Sequence, residues 1–460
     1  MVAVDSEIAP LLAHEQDIYD RFSARTKSLV VAQVAFCALL PMFVGGSFVP
    51  SIPQIARDLG TTGAVVNVAV SLSIFGSSTG SLTWARYSGF YGRRPIYLTS
   101  LPILAVGSFG VAAARSVPAL MFWRAVQAFG AGGGFAVGAG VIADMYRLEE
   151  RGRAMGIFFA AALLGPAVAP PIGGFVARYF SWRMMQLSIG VAAIFALGFM
   201  TAWMPETSQP GVRGVDKLKP GARRAVLLNP FKDLVLLRSP NILAACIVGT
   251  GVLATDLLML NPLAYTLGER YNIHSEAIIG LLFCPCGLGN MIGAPISGRL
   301  SDRAIITWRA KRAGAWVPED RLRATLLGTG LLVPLSVLSL ALSTTFVSNR
   351  GLGLALAVIA LFANGIGVDF ALTPLSAYAV DILHDRSAEV TAATTCLRGT
   401  LIALLVSGIL PALDRFGMLA THAAIAALAW ACFGLLLLTI RFGREMRAWV
   451  DVGYTTSVAS

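Results

Sequence analysis

Very few charged side chains interrupt the long apolar stretches of this sequence. Arg124 and Gln127 are three residues apart in one stretch, so they share one face of a helix. Asp256 and Asp369 each stand alone in later stretches. In an apolar interior, a carboxyl can load and release a proton, and a guanidinium can hold an anionic or polar ligand. These side chains are therefore the first candidates for chemistry.

Each charged candidate also has a structural interpretation. A buried Arg124 could bond only to backbone carbonyls. Asp256 could hold the helix break predicted at Asn261-Pro262. Asp369 could satisfy backbone groups that the preceding glycines free. The residues by themselves leave both interpretations open.

The elements that carry these residues are predicted to span a membrane. Of the 460 residues, 56% are hydrophobic and 13% are charged, whereas charged residues approach a quarter of a soluble domain. Crossing the ~30 Å hydrocarbon layer as a helix takes about 20 apolar residues. Twelve such stretches begin near Ser28, Ala64, Ile96, Ala119, Ala154, Met185, Asn241, Ala277, Ala324, Leu352, Val390 and Leu419. The sequence predicts an all-α polytopic membrane protein with twelve transmembrane helices.

The basic charge follows this predicted topology. Of 36 Lys and Arg residues, 27 fall in the tails and alternate loops of one side, against seven on the other. Cytoplasmic loops carry such an excess, which predicts that both termini are cytoplasmic. The net charge of +11 therefore indicates topology, and we expect no nucleic-acid partner. The six cysteines all lie in predicted spans, where we expect packing roles and no metal site.

The two halves of the chain repeat. Gly80 in the first half corresponds to Gly293 in the second, and Asp144 corresponds to Asp381. Many transporters consist of two bundles related by an axis along the membrane normal. We predict a cytoplasmic tail 1–27, a six-helix bundle 28–204, a cytoplasmic linker 205–240, a second bundle 241–441 and a cytoplasmic tail 442–460.

Several motifs resemble those of one family. The segment 80–95, which ends in Gly92-Arg93-Arg94-Pro95, resembles the loop 2–3 signature of fungal drug:proton antiporters with twelve spans. The fourth-span segment 124–130 and the fifth-span segment 165–174 resemble two further motifs of these antiporters, and 280–303 and 378–398 resemble their quinidine-resistance-like branch. The resemblance covers nearly the whole chain. It implies the fold of the major facilitator superfamily, with two pseudo-symmetric six-helix bundles.

Two positions depart from the family pattern. Gly89 stands where the loop 2–3 signature normally carries an acidic residue, and Ala169 stands where the fifth-span motif usually has glycine. The first departure removes half of the expected charge network in the N-terminal gate.

The fifth-span motif is rich in proline and glycine at Gly165, Pro166, Pro170, Pro171, Gly173 and Gly174. These residues remove backbone donors and side-chain bulk, which predicts a bent helix that approaches a neighbour closely. In the family this segment is associated with export. The alternative is a kinked packing helix without directional meaning.

Charged residues at the predicted cytoplasmic ends of the spans form a candidate gate. The expected pairs join Arg93 and Arg94 to Asp144, and Arg299 or Arg303 to Asp302 and Asp381. Exposed pairs contribute only ~0–1 kcal/mol, which suits a gate that must open. The alternative is that these arginines only determine topology.

The resemblance implies a secondary active transporter that exports small amphipathic drugs or metabolites by proton antiport with alternating access. We expect a cavity between the first, fourth, seventh and tenth spans with sparse polar points at Gln33, Asn67, Arg124, Gln127, Asp256 and Asp369. The proton gradient is the expected energy source, without a cofactor. A dedicated exporter of one organic acid or secondary metabolite, or a facilitator or importer, remains an alternative.

The scattered histidines and the lack of clustered nucleophiles and bases argue against an enzyme. We expect a monomer whose partners are the small-molecule substrate and the lipid bilayer. The plasma membrane is the expected location, and the vacuolar membrane is the alternative.

Overall fold

The computed structural model describes residues 19, 21–209, 211, 213–218, 226–383, 386–450, 452 and 454. The predicted N-terminal tail lies mostly outside this described part, as do portions of the linker and of the C-terminal tail. The described residues form helices and connecting turns, with no β-strand among them. The all-α prediction is therefore confirmed.

Eleven helices in the described part are long and apolar enough to cross a membrane. The longest, Ser387–Trp449, has non-helical backbone at Gly417, where φ is 77°. Glycine adopts this left-handed conformation readily. Gly417 therefore divides the helix into two segments, 387–416 and 418–449, each longer than the about 20 residues that a crossing needs. The described chain thus provides twelve spans, as the sequence predicts.

The spans are labelled in chain order. In the first half they are α1 Ala24–Gly46, α2 Gly63–Tyr91, α3 Arg93–Ala113, α4 Val117–Met145, α5 Leu148–Tyr179 and α6 Trp182–Trp203. In the second half they are α7 Pro240–Leu260, α8 Cys284–Lys311, α9 Val333–Phe346, α10 Arg350–Ile382, α11 387–416 and α12 418–449. The helical stretch that crosses at α9 is longer than α9 itself and runs over Pro318–Phe346.

Shorter helical segments extend or connect the spans. Val49–Ser51 and Ile52–Asp58 lie between α1 and α2, and Leu267–Arg270 and Glu276–Leu281 lie between α7 and α8. Pro318–Thr325 and the π-helical turn Gly328–Leu332 lead into α9. The described parts of the linker contain the 3₁₀ helices Gly214–Lys217 and Pro230–Arg238.

Local sequence explains where the spans begin and end. The side chains of Thr62, Ser239 and Asn349 each accept a hydrogen bond from a backbone N–H in the first turn of α2, α7 and α10. α7 ends at Leu260, where the sequence predicts the Asn-Pro break. α12 continues to Trp449, so the predicted boundary at residue 441 lies inside a helix.

The two bundles repeat the same helix packing. Gly80 on α2 lies against the backbone of Phe129 on α4. At the corresponding place in the second bundle, a Cβ on Gly293 of α8 would come within 3.0 Å of Ile366 on α10. Both glycines allow two helix backbones to approach closely. This agreement supports the pseudo-symmetry that the sequence repeat predicts.

The bundle pair has two different faces. We define the basic face as the one that carries residues 146–147, 312–317 and the linker, and the opposite face as the one that carries 47–62 and 261–283. Because the spans alternate in direction and are even in number, α1 begins and α12 ends at the basic face.

Apolar packing joins the bundles at the opposite face. One buried cluster there contains side chains of both bundles, including Phe48, Trp182, Leu263 and Val406. Two further clusters each belong to one bundle. The structure is therefore sealed at the opposite face, whereas toward the basic face each bundle packs around its own core.

Candidate functional site

A cavity of about 300 Å³ lies between the two bundles. Residues of α1, α2 and α4 form one wall, and residues of α7 and α11 form the other. In this conformation α2 and α11 line the cavity and α10 does not, which corrects the expected set of four spans. The wall is mostly apolar, with hydroxyl groups from Ser73, Ser77, Ser78 and Thr395.

Arg398 on α11 contributes a guanidinium to this wall. The side chain is half-buried, and Nη2 lies 3.5 Å from Thr395 Oγ1. Within the described residues, no carboxylate lies within 4.0 Å of it. Arg398 lies in the predicted span that begins near Val390, but the sequence alone assigns it no role. The available signal was its charge in an apolar stretch, which was the same signal that singled out Arg124.

Arg124 lies inside the first bundle and not in the cavity wall. It is 0% exposed, and Nη1 donates to the Val44 carbonyl at 2.9 Å and to Gln127 Oε1 at 2.8 Å. The guanidinium also stacks over the Phe48 ring, 4.1 Å from its centroid. The expectation of a cavity-facing Arg124 is therefore corrected for this conformation, because α4 turns this face toward α1.

Gln127 extends this buried network. Its Nε2 donates to Ser108 Oγ and to Gln186 Oε1, each at 2.9 Å. The network links α1, α3, α4 and α6 of one bundle, with Gln127 as its central member. This arrangement favours the structural interpretation of Arg124 and Gln127.

Gln33 and Asn67 also lie away from the cavity wall. Gln33 Nε2 donates to the Phe199 carbonyl at 3.0 Å, in a groove between α1 and α6. Asn67 Nδ2 donates to the Val406 carbonyl at 2.6 Å and so joins α2 to α11. Asn67 is thus a contact between the bundles in the sealed half of the molecule.

The two intramembrane carboxyls come together within the second bundle. Asp256 on α7 accepts a hydrogen bond from Cys286 Sγ at 2.7 Å and is also bonded to the Asn290 side chain. Asp369 on α10 is close enough to Asp256 for an electrostatic interaction, and its Oδ2 is buried without a hydrogen-bond partner among the described residues. We call Asp256, Cys286, Asn290 and Asp369 the acid cluster. It lies among α7, α8 and α10 and not in the cavity wall.

α5 connects the acid cluster to the interface between the bundles. The backbone at Pro170 lies against Gly280, and Ala167 lies against Gly287, the residue next to Cys286. Cys284 Sγ donates to the Ala167 carbonyl at 3.6 Å. On the other side, Gly165 and Gly173 face Met42 and Ser47 at the end of α1.

This packing has two consequences for the motif 165–174. All three prolines lie within one assigned helix, and the glycines make the close approaches that the sequence predicts. Cys286, for which packing alone was expected, is a hydrogen-bond donor in the acid cluster.

Charged groups at the basic face pair within each bundle. Arg93 Nε lies 2.9 Å from Asp144 Oδ2, as the sequence predicts. Arg94 does not pair with Asp144, because its Nη2 donates to the Thr201 carbonyl. Glu206 accepts hydrogen bonds from the backbone N–H groups of Arg93 and Arg94 at 2.9 and 3.2 Å. A linker carboxylate thus lies at the N-terminus of α3, although position 89 carries no acid.

In the second bundle, Arg321 replaces the expected arginines. Its Nε lies 2.7 Å from Asp381 Oδ2, and its Nη1 lies 3.3 Å from Asp302 Oδ1. The expectation that Arg299 or Arg303 would pair with these acids is therefore corrected. Arg321 belongs to the segment Pro318–Thr325, which folds back beside α8 and α10. Arg321 and Asp381 are 60 residues apart along the chain, so the sequence did not predict this pair.

A third charged junction joins the bundles and the linker. Arg86 on α2 lies 3.3 Å from Asp233 of the linker and 3.7 Å from Glu389 at the start of α11. Burial raises the pKa of Asp233, and the Arg86 guanidinium opposes this shift. Hydrogen bonds from the Tyr91 hydroxyl to the Val226 carbonyl, and from the Val226 N–H back to it, also fasten the linker to α2.

Comparison with known proteins agrees with this architecture. The sequence model of the Major Facilitator Superfamily matches residues 34–407. The chain is 26% identical to the efflux pump radE of Floropilus chiversii over 440 residues, which cover 91% of this chain and 80% of that protein. It is 32% identical to the MFS antiporter QDR3 of Candida albicans over 209 residues, which cover 45% of this chain and 29% of that protein.

The fold also matches a solved transporter structure. The crystal structure of a bacterial homologue of the human lysosomal transporter Spinster aligns with a TM-score of 0.67 at 14% identity. The alignment covers 92% of this chain and 99% of that protein. The twelve apolar spans, the paired bundles and the family match together show that this multi-pass membrane protein belongs to the Major Facilitator Superfamily.

Proposed function

We propose that the protein exports small amphipathic compounds in exchange for protons. The observation that carries this proposal is the acid cluster, in which Asp256 and Asp369 interact inside one bundle. Carboxyl groups in an apolar membrane interior are the groups that relay protons in pumps and transporters. Cys286 and Asn290 supply hydrogen bonds to Asp256.

The position of the acid cluster supports coupling to the motion of the bundles. Cys286 bonds to Asp256, while the adjacent Gly287 packs against Ala167 of α5. Loading or releasing a proton changes the charge that Cys286 faces, at the point where α8 meets the other bundle. In alternating access such a change biases one packing of the bundles over another.

Three observations support the proposed direction of transport. The basic face carries the excess of Lys and Arg, which favours a cytoplasmic orientation of that face. The bundles are sealed at the opposite face, so this conformation suits loading of substrate from the cytoplasm. The related proteins named as an efflux pump and an antiporter support the same direction.

The plasma membrane is the proposed location, and a monomer is the proposed working unit.

The test measures accumulation of labelled amphipathic drugs and organic acids in cells that express wild type or Asp256→Asn, with and without an uncoupler. Proton-driven export predicts lower accumulation with wild type, and both the uncoupler and the substitution abolish this difference. Asp414→Asn is the matched control, because Asp414 is an exposed acid on α11. Uncoupler-insensitive transport that survives Asp256→Asn would instead identify a facilitator.

Cys286 gives a second arm to this test. Cys286→Ser keeps a hydrogen-bond donor for Asp256, whereas Cys286→Ala removes it. We expect Cys286→Ser to retain more proton-dependent export than Cys286→Ala. Export of a single compound of the panel would identify a dedicated exporter.

A further inference from the structure

We propose that Arg398 binds the negatively charged group of an amphipathic organic anion in the cavity between the bundles. This inference rests on the proposed transport function and assigns a substrate class to its central cavity. The sequence and the comparisons assign no role to this side chain. Arg398 lies in the cavity wall, has no carboxylate partner among the described residues and shares that wall with apolar side chains.

The Arg398 side chain is accessible from the cavity. Arg398 is half-buried and belongs to the cavity wall, whereas Arg124 is 0% exposed. The facing position on α7 is Gly249, where a Cβ would lie 3.6 Å from Arg398 Nη1. This is an ordinary van der Waals distance, so Gly249 packs beside the guanidinium on the side away from the cavity lining. Because Arg398 itself lines the cavity, a ligand in the cavity can reach it.

The positive charge of Arg398 has no carboxylate partner among the described residues. A guanidinium deep in the membrane region costs free energy unless an anion or several hydrogen bonds compensate it. The described residues provide Arg398 with one long hydrogen bond to Thr395 and no carboxylate partner. The nearby thiol of Cys246 instead donates to the Thr394 carbonyl. A carboxylate or sulfonate on the ligand would supply the missing countercharge and two acceptor oxygens for the planar guanidinium.

The rest of the cavity wall is mostly apolar. Leu253, Leu257, Ile402 and Met42 form apolar surfaces of the same cavity. Ser77 adds a hydroxyl that makes no hydrogen bond to a described residue. A volume of about 300 Å³ is at the lower end of small-molecule pockets. The cavity thus fits a small ligand that has one anionic end and an apolar body.

The test is equilibrium binding of labelled 2-naphthoate and its neutral amide, 2-naphthamide, to the purified full-length protein in detergent. We expect wild type to prefer the anion by about tenfold, the effect of one charge-assisted hydrogen bond. Arg398→Gln should abolish this preference, and Arg398→Lys should retain part of it. Arg415→Gln, which removes an exposed arginine from the same helix, should bind like wild type.

Two results of the binding experiment would overturn the inference. One is a wild type without preference for the anion, and the other is an Arg398→Gln protein that keeps the preference while its melting temperature matches wild type. If Arg398→Gln fails to fold, the comparison of Arg398→Lys with wild type decides, because an anion site predicts weaker binding of naphthoate alone.

Failure of this inference is distinguishable from failure of the proposed function. Uncoupler-sensitive export that Arg398→Gln leaves unchanged would support the proton-driven exporter and overturn the anion site. Arg398-dependent binding of naphthoate without uncoupler-sensitive export would support the anion site and overturn proton exchange.

Discussion

At the residue scale, burial and partners decide what each intramembrane arginine does. Arg124 has both a carbonyl and an amide acceptor within its own bundle, and solvent cannot reach it. Arg398 has a surface in the central cavity and no carboxylate partner among the described residues. The same type of side chain is therefore fully buried within a bundle in one place and part of the cavity wall in the other.

The Gln127 network yields a stability prediction. Gln127→Leu removes the amide oxygen that accepts from Arg124. It also removes the amide nitrogen that donates to Ser108 and Gln186, so three buried polar side chains each lose a hydrogen bond. Each unsatisfied group costs about 1–3 kcal/mol, so we expect a clear fall in melting temperature. Thermal unfolding of the detergent-purified protein measures this effect.

Gln186→Leu is the matched comparison. It removes only the bond between Gln186 and Gln127, and the Arg124 bond remains. We expect a smaller fall in melting temperature than for Gln127→Leu. Equal melting temperatures for Gln127→Leu and wild type would contradict the network's role.

At the element scale, α5 acts as a smooth packing surface between the bundles. Its glycines and Ala167 place backbone against backbone, on α1 at one side and on residues 276–287 at the other. Helices that meet through small residues can change their packing without moving large side chains. This property explains why the motif segment suits an interface that must rearrange during transport.

Two glycines of α5 provide a matched pair of substitutions. A Cβ on Gly174 would collide with the Glu276 carbonyl, whereas a Cβ on Gly156 would have no atom within 4 Å. We expect Gly174→Ala to slow substrate export severalfold or more, and Gly156→Ala to leave it unchanged. Export assays at equal surface expression measure the difference. Equal export by the two variants would show that close packing at Gly174 is dispensable.

At the scale of the whole molecule, one sealed face and two separate cores describe one state of a transport cycle. The Arg57 and Glu276 side chains pair across the bundles at the opposite face, with 3.2 Å between Nη2 and Oε1. Asn67 adds a hydrogen bond across the same region. Opening of the cavity to that face requires these contacts to separate.

Cross-linking tests this requirement. In Arg57→Cys with Glu276→Cys, a short bis-methanethiosulfonate, which forms a disulfide with each cysteine, should link the bundles and stop export, and a reductant that cleaves these disulfides should restore export. The control pair is Asp58→Cys with Arg183→Cys, because Asp58 and Arg183 lie 2.8 Å apart within the first bundle at the same face. Export that continues across the Arg57 and Glu276 cross-link would contradict alternating access at this face.

The sequence by itself determined the local features of this protein. A span depends on the length of an apolar run, and a helix cap depends on a few neighbouring residues. The helix break at Asn261 depends on the proline that follows it. Each of these features therefore follows from a short segment of sequence. Asp256 and Asp369 were also identifiable as rare buried charges, although their proximity was not.

Only the tertiary structure decided which side chains face the cavity and which partners they meet. A helix with polar residues on one face does not reveal how it is rotated in its bundle, so Arg124 and Arg398 had equivalent sequence signals. Glu206 and Arg321 reach their partners from segments distant along the chain. Rotation and long-range contacts result from the summed packing of many helices, and no short segment of sequence contains that information.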